Sequence, residues 1–114
     1  MEGDLMIIDL RRYEVRHARI NEFLDLWEAM ALPVQLRFLQ RFRGMYVVDA
    51  GVVNTVVHMW EYDSLAERER RRAEMEASEP WKAYRSRLSE LDALIRLEST
   101  ILRPAALMDR LPKA

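Results

Sequence analysis

An α+β fold, with helices on one face of an antiparallel sheet, is predicted by the order of hydrophobic patterns along this 114-residue chain. Segments with the apolar or alternating character of strands are separated by segments whose apolar residues recur every three or four positions, as in helices. Turn residues join the two middle strands. The length suits about one domain, so we expect a single domain with one hydrophobic core over residues 1–114.

The first part of the pattern is a strand followed by a helix. Residues 5–14 begin as an apolar run and pass into alternation, which predicts the first strand. In residues 19–31 the apolar positions follow the i, i+3, i+4, i+7 spacing of a one-sided helix. Pro33 cannot continue that helix, because it lacks an N–H and clashes with the preceding turn, but it can open a short helix over residues 33–40 that carries Arg37.

The middle of the chain is predicted to form an antiparallel hairpin. Residues 42–50 have strand character, residues 49–51 supply turn chemistry, and residues 54–63 are rich in β-branched and aromatic side chains. Gly44, inside the first of these strands, predicts a bulge or a close backbone approach.

A second helical region and a last strand follow. Ser64 and Glu67 have the spacing of a capping box, and the almost entirely charged residues 67–76 are interpreted as a solvated helix face. A second start at residues 78–80 opens a helix with a core-facing stripe of Trp81, Tyr84, Leu88, Leu91 and Ile95. Residues 97–102 are predicted to be the last strand, and Pro104 and Pro112 frame a loose tail.

The resulting order contains two β-α-β units with a hairpin between them, which is the ferredoxin-like split β-α-β plan. Both faces of such a sheet would carry apolar residues, among them Ile8, Leu10, Val47, Val57 and Met59. An open face of this kind would expose a larger apolar patch than monomers usually carry, so we expect two sheets to pack face to face in a homodimer.

Composition and charge exclude several classes of function. The net charge of −1 gives no electrostatic case for a nucleic-acid or anionic-membrane partner, so we expect neither. The absence of cysteine excludes disulfides, thiolate catalysis and cysteine zinc sites. Apolar runs fall short of a membrane span, and the acidic residues 1–4 lack the basic region of a signal peptide. A cytoplasmic protein is therefore predicted.

Residues 54–63 contain several side chains that can form hydrogen bonds or transfer a proton. On a strand, alternate residues share a face, so Asn54, His58, Trp60 and Tyr62 line up with Val56 between them. Hydrogen-bonding groups in an apolar surround are typical of a small-molecule site. The remaining candidates for ligand binding are Arg11 and Tyr13 on the neighbouring first strand, Arg37 after Pro33, and Tyr46 on the hairpin.

His58 is the candidate catalytic residue, because a histidine titrates near neutral pH and can transfer a proton. The simpler interpretation is a half-buried histidine that is hydrogen-bonded within the core. We predict no metal site, since no multi-ligand motif is present, and no cofactor. Nucleophile motifs, phosphate-binding glycine loops and paired catalytic carboxylates are also absent from the sequence.

Several segments together resemble the NIPSNAP family. The segments that carry the resemblance are residues 6–15, 19–23, 56–68, 80–84 and 101–104. The resemblance implies a dimeric α/β barrel made of two facing ferredoxin-like sheets. Related barrels include cofactor-free monooxygenases, isomerases and haem enzymes, so the fold does not determine the chemistry. The chain departs from the family pattern at His17 and Ala18, where a Pro-Gly turn is usual.

Three hypotheses for function follow. The first is binding of a small apolar, oxygen-bearing molecule in a cleft between sheet and helices, with His58 able to transfer a proton. The alternative is a non-catalytic dimeric protein-interaction module that works through the dimer surface and the charged residues 67–76. The third, haem binding, rests on superfamily analogy and an available histidine.

Overall fold

The structure, a computed structural model, describes residues 6–112. Leu5, with which the first strand was predicted to begin, and the acidic residues 1–4 lie outside this range. Within it the sheet is formed by β1 (Ile7–Val15), β2 (Arg41–Val47), β3 (Thr55–Tyr62) and β4 (Leu94–Leu102). The α-helices are α1 (Ile20–Leu26), α2 (Leu32–Phe38), α3 (Leu65–Glu76) and α4 (Glu79–Leu91).

The sheet has the strand order β2-β3-β1-β4, and every pair of neighbours is antiparallel. The ferredoxin-like prediction is thereby confirmed, with β1 and β3 as the central pair. The predicted hairpin of β2 and β3 is also present, and its register shifts between Phe42 and Met45. Gly44 lies within that bulge with φ +119°, a conformation that glycine adopts without strain.

The first helical region differs from the prediction, because the chain does not stop being helical before Pro33. A π-helical turn at Trp27–Ala31 connects α1 directly to α2, and Pro33 lies in the first turn of α2. Proline lacks the amide that an α-helix pairs with the carbonyl four residues earlier. The wider π turn just before it shifts the hydrogen-bonding pattern by one residue, so the helix continues. This turn carries the buried Trp27.

The second helical region begins as predicted and ends earlier. Ser64 Oγ accepts a hydrogen bond from the Glu67 amide at 3.1 Å, which caps α3. The predicted stripe on α4 is correct for Trp81, Tyr84, Leu88 and Leu91, which are buried or half-buried. It is wrong for Ile95, which lies on β4 and is 56% exposed, because α4 ends at Leu91 and the next residue, Asp92, is in the left-handed conformation (φ 50°). The last strand correspondingly begins at Leu94 rather than residue 97.

The helices cover only one face of the sheet. That face carries Tyr13, Val56 and Trp60, which pack with Phe23 and Trp27 in the hydrophobic core. The opposite face is uncovered, and its central residues Ile8, Leu10, Val57 and Met59 are half-buried. No helix within residues 6–112 has the length and apolar character needed to cross a membrane.

Candidate functional site

Polar side chains lie buried between the sheet and the helices, on the covered face of the two central strands. Asp9 and His58 are fully buried and Arg11 is nearly so. Arg11 stands directly opposite His58 in the β1–β3 register. The prediction that the face with Arg11 and Tyr13 lies beside the His58 face is therefore confirmed.

Asp9 is the centre of an ion-pair cluster. Its Oδ2 accepts a hydrogen bond from Arg68 Nε on α3 at 2.9 Å, and its Oδ1 accepts one from Ser99 Oγ on β4 at 2.8 Å. Arg11 Nη1 lies 3.5 Å from the same carboxylate. One buried carboxylate therefore contacts two guanidinium groups, and Arg68 is also paired with the exposed carboxylate of Glu69.

Arg11 is held in place by its remaining hydrogen bonds. Its Nε donates to Tyr13 Oη at 3.2 Å and its Nη1 donates to Ser99 Oγ at 2.6 Å. Its guanidinium carbon lies 5.7 Å from the centroid of the Tyr13 ring. Two strands thus fix the guanidinium, as a site that recognises an oxygen atom by geometry requires.

His58 is a neutral imidazole in this environment. Burial, reinforced by the charges of Arg11 and Arg72 against that of Asp9, lowers the pKa of His58 from 6.5 to about 3. Trp60 Nε1 donates to His58 Nδ1 at 2.9 Å, so the proton of the neutral ring is on Nε2. Nε2 is buried and finds no hydrogen-bond partner in the described part of the chain. His58 is thus a hydrogen-bond donor at neutral pH and a weak base.

Aromatic rings enclose the imidazole. Tyr13 meets it edge-on with ring centroids 4.9 Å apart, and Trp27, from the π-helical turn, packs against it at 5.3 Å. Tyr62 lies further along the same row, and burial raises the pKa of its hydroxyl to about 12. The Tyr62 Oη is also buried without a hydrogen-bond partner among residues 6–112. Both groups therefore offer a hydrogen bond that the described chain does not use.

A cavity of about 230 Å³ opens between the sheet, α3 and α4, next to this row. Its lining comprises Arg11, Tyr13, Arg72, Trp81, Tyr84, Arg85, Leu88, Leu94 and Leu97. His58 is not part of the lining, because Tyr13 both lines the cavity and packs against the imidazole. The cavity therefore has a polar wall from β1 and α3 and a mostly apolar wall from α4 and β4, in which Arg85 is the charged residue.

The sequence-predicted site residues fall into two groups. Arg11 and Tyr13 line the cavity, and His58, Trp60 and Tyr62 form the buried row beside it. The other three lie elsewhere and are not brought together with His58.

Arg37 is exposed on α2, with its guanidinium 5.0 Å from the Phe38 ring centroid. Tyr46 is 58% exposed and pairs with Val57 on the uncovered face of the sheet. Asn54 adopts φ +60° in the turn before β3, where its carbonyl accepts a hydrogen bond from the Val15 amide. None of these three residues is part of the cavity lining.

Sequence reasoning missed Asp9, Ser99, Arg68 and Arg72. The interpretation of residues 67–76 as a solvated face was wrong for Arg68 and Arg72, whose side chains are only 16% and 14% exposed. Their spacing with the buried Met75 repeats every three or four residues, which is a one-sided helical stripe that contains two arginines. A stripe of that kind, together with an aspartate in the apolar first half of β1, was a signal for a buried ion pair.

The described residues contain no group of three or more His, Asp or Glu side chains placed to hold a metal ion. The haem hypothesis relied on a histidine as axial ligand, and such a ligand needs an accessible ring nitrogen. His58 does not fit this role, because its Nε2 is enclosed and its Nδ1 accepts the hydrogen bond from Trp60.

Comparison with known proteins identifies the family. The NIPSNAP family model matches residues 8–108. No curated protein matches the chain. An uncharacterised NIPSNAP-like domain protein from Burkholderia xenovorans is 33% identical, with a TM-score of 0.83 over 90% of this chain and 88% of that one.

Two further solved structures show how far the fold extends. A NIPSNAP family protein from Agrobacterium tumefaciens is also 33% identical, with a TM-score of 0.83 over 89% of this chain and 94% of that one. A conserved protein from Methanosarcina mazei shares the fold at 17% identity, with a TM-score of 0.62 over 91% of this chain and 97% of that one. From the family match and the two close structural relatives, the chain belongs to the NIPSNAP family.

Proposed function

We propose that this NIPSNAP-family protein binds a small apolar, oxygen-bearing molecule between its sheet and its helices. The observation that carries the proposal is the 230 Å³ cavity, which has Arg11 and Tyr13 on one wall and leucines on the other. Small-molecule sites are typically concave and mostly apolar, with a few fixed polar groups that orient the ligand. Arg11 meets this requirement because Tyr13 and Ser99 hold its guanidinium in place.

A role for His58 in proton transfer stays a prediction within this proposal. Because its pKa is lowered to about 3, the His58 imidazole is a poor base at pH 7 in the unliganded protein. Tyr13 also lies between this imidazole and the cavity. An anion bound near the imidazole would favour its protonated form and raise that pKa. In the unliganded protein, His58 supports the site by packing behind Tyr13.

We further propose that the working unit is a homodimer that acts in the cytoplasm, as the sequence predicts. Support for the dimer comes from the uncovered sheet face, where Tyr46 and Leu102 are 58% and 41% exposed beside half-buried apolar neighbours. β4 adds an exposed edge with Leu97 and Ile101. Unpaired edges and apolar faces of this kind are normally covered in soluble proteins.

The alternative, a non-catalytic interaction module that uses α3, has less support. Arg71 donates to the Phe38 carbonyl at 3.2 Å, and Arg72 donates to Glu76 at 3.0 Å. Arg68 donates to Asp9 and to Glu69. Three of the four arginines of this helix therefore have partners within the protein, and Arg70 is the exposed one that could meet a partner.

Isothermal titration calorimetry with octan-1-ol and octanoate tests the binding proposal. Leu97→Phe narrows the cavity, whereas Ile95→Phe adds the same ring on the same strand outside the lining. We expect saturable binding of at least one probe that Leu97→Phe weakens and Ile95→Phe leaves unchanged. The proposal fails if neither probe binds, or if both variants behave as the wild type does.

A further inference from the structure

The charges around the cavity point to the kind of ligand. Its lining contains three arginines, Arg11, Arg72 and Arg85, and no aspartate or glutamate. We propose, as an extension that rests on the proposed function, that the ligand is an organic monocarboxylate whose carboxylate is bound by Arg11 and Arg72. The remaining lining would then hold the hydrocarbon part of the same molecule.

The charge of Arg11 is only partly balanced within the protein. Asp9 is the carboxylate near it, at 3.5 Å from Nη1, and that carboxylate accepts a shorter hydrogen bond from Arg68, which also pairs with the exposed Glu69. Within residues 6–112 the Arg11 hydrogen bonds use Nε and Nη1 and leave Nη2 without an acceptor. A buried guanidinium is stable only when its charge is compensated, so an anion in the cavity would complete the site.

Arg72 supplies a second unused donor. Its Nη2 donates to Glu76 Oε2 at 3.0 Å, and that glutamate is half exposed on the outer side of the helix. Its Nη1 is buried and has no hydrogen-bond partner in the described residues. A buried donor without a partner is uncommon in proteins and often indicates a missing ligand or water. A carboxylate oxygen in the cavity would satisfy it.

The rest of the lining favours a hydrocarbon body over a second charged group. Leu88, Leu94 and Leu97 provide aliphatic surface, and Trp81 and Tyr84 pack with ring centroids 5.0 Å apart. Burial raises the pKa of Tyr84, so its hydroxyl stays protonated and adds no negative charge to repel an anion. Arg85 is exposed and attracts anions to the entrance.

The test compares octanoate with octan-1-ol, which have the same chain length and differ in charge. Calorimetry in a buffer free of carboxylate and phosphate measures both affinities for the wild type, Arg72→Gln and Arg85→Gln. Arg70→Gln is the matched control, because it removes an exposed arginine from the same helix. Circular dichroism confirms that each variant is folded, and Arg85→Gln changes an exposed residue that makes no ion pair within residues 6–112.

We expect octanoate to bind at least about tenfold more tightly than octan-1-ol, and Arg72→Gln to lose about tenfold in octanoate affinity. Arg85→Gln should lower the affinity for octanoate by a smaller factor, and Arg70→Gln should leave that affinity unchanged. Equal affinities for the two probes, with sensitivity to Leu97→Phe, would overturn the carboxylate inference and leave the binding proposal intact. Octanoate binding that is as tight in Arg72→Gln as in the wild type would also overturn it. Absence of binding by either probe would overturn both.

Discussion

Arg11 and His58 stand directly opposite each other on the two central strands, with both side chains on the helix-covered face. Burial of the imidazole, and then the fixed guanidinium beside it, lower the pKa of His58. The ring consequently stays neutral, with Trp60 hydrogen-bonded to its Nδ1. The strand register alone creates this pairing, since the two residues are 47 positions apart in the sequence.

The lowered pKa of His58 predicts a specific pH dependence of stability. As pH falls below 6.5 the unfolded chain takes up a proton at His58, while the folded protein does so only near pH 3. The folded state therefore loses stability between these values, with a limiting slope of about 1.4 kcal/mol per pH unit from this one group. We expect His58→Gln to have a flatter profile than the wild type in urea unfolding at pH 7, 6, 5 and 4.

His17→Gln is the control, because His17 is exposed in the turn after β1. It should leave the slope of stability against pH as it is in the wild type. If His58→Gln and His17→Gln both show the same dependence of stability on pH as the wild type, the pKa of His58 is not lowered by folding. The statement that His58 is buried as a neutral imidazole would then be wrong.

The hydrogen bond from Trp60 to His58 predicts a difference between two otherwise similar substitutions. Trp60→Phe removes the donor and leaves the buried Nδ1 of His58 unpaired, which adds about 1–3 kcal/mol to the cost of the smaller ring. Trp27→Phe removes an indole of similar burial whose Nε1 has no partner among residues 6–112. Urea denaturation should show the larger loss for Trp60→Phe, and ¹⁵N NMR should show a change of His58 tautomer only there. Equal losses of stability and an unchanged His58 tautomer in both variants would contradict the hydrogen bond from Trp60 to His58.

The ion-pair cluster at Asp9 predicts a large loss of stability on neutralisation. Asp9→Asn removes the carboxylate that Arg68 contacts at 2.9 Å and leaves the buried Arg11 without a nearby negative charge. Removing one partner of a buried ion pair typically costs about 3–5 kcal/mol. Glu22→Gln breaks the exposed pair with Arg19 and should cost less than about 1 kcal/mol in chemical denaturation. Comparable losses in the two variants would show that Asp9 is not the charge centre of the core.

The fold could be predicted because each helix and strand is indicated by residues that are close together in the sequence. Hydrophobic period, capping residues such as Ser64 and turn residues such as Gly51 determine the elements and their order. That order and the rule that short connections join neighbours lead to the sheet topology. The helix through Pro33 was missed because a π-helical turn has no simple periodic signature.

The site was only partly predictable, because its contacts join residues distant in the sequence. His58, Arg11 and Tyr13 were found from alternation on strands, which places side chains on faces but does not say what covers them. Asp9 and Arg68 meet across 59 positions, and the polarity of a single arginine does not show whether it faces water or a buried carboxylate. Tyr46 was assigned to the site because the hairpin register, which the bulge at Gly44 sets, cannot be read from the sequence.

The uncovered sheet face supplies the last prediction. Met59 lies at its centre, opposite Leu10 on β1, and a charge there would be buried between two facing sheets in the proposed homodimer. Met59→Glu should therefore shift the protein towards a monomer in sedimentation velocity at micromolar concentration, while circular dichroism shows retained helix content. Leu65→Glu introduces the same charge at an exposed leucine of α3, on the helix side of the molecule, and should leave the sedimentation coefficient unchanged. The proposal that two copies meet at this face would be wrong if the wild-type protein is a monomer. It would also be wrong if Met59→Glu forms a dimer as stable as the dimer of Leu65→Glu.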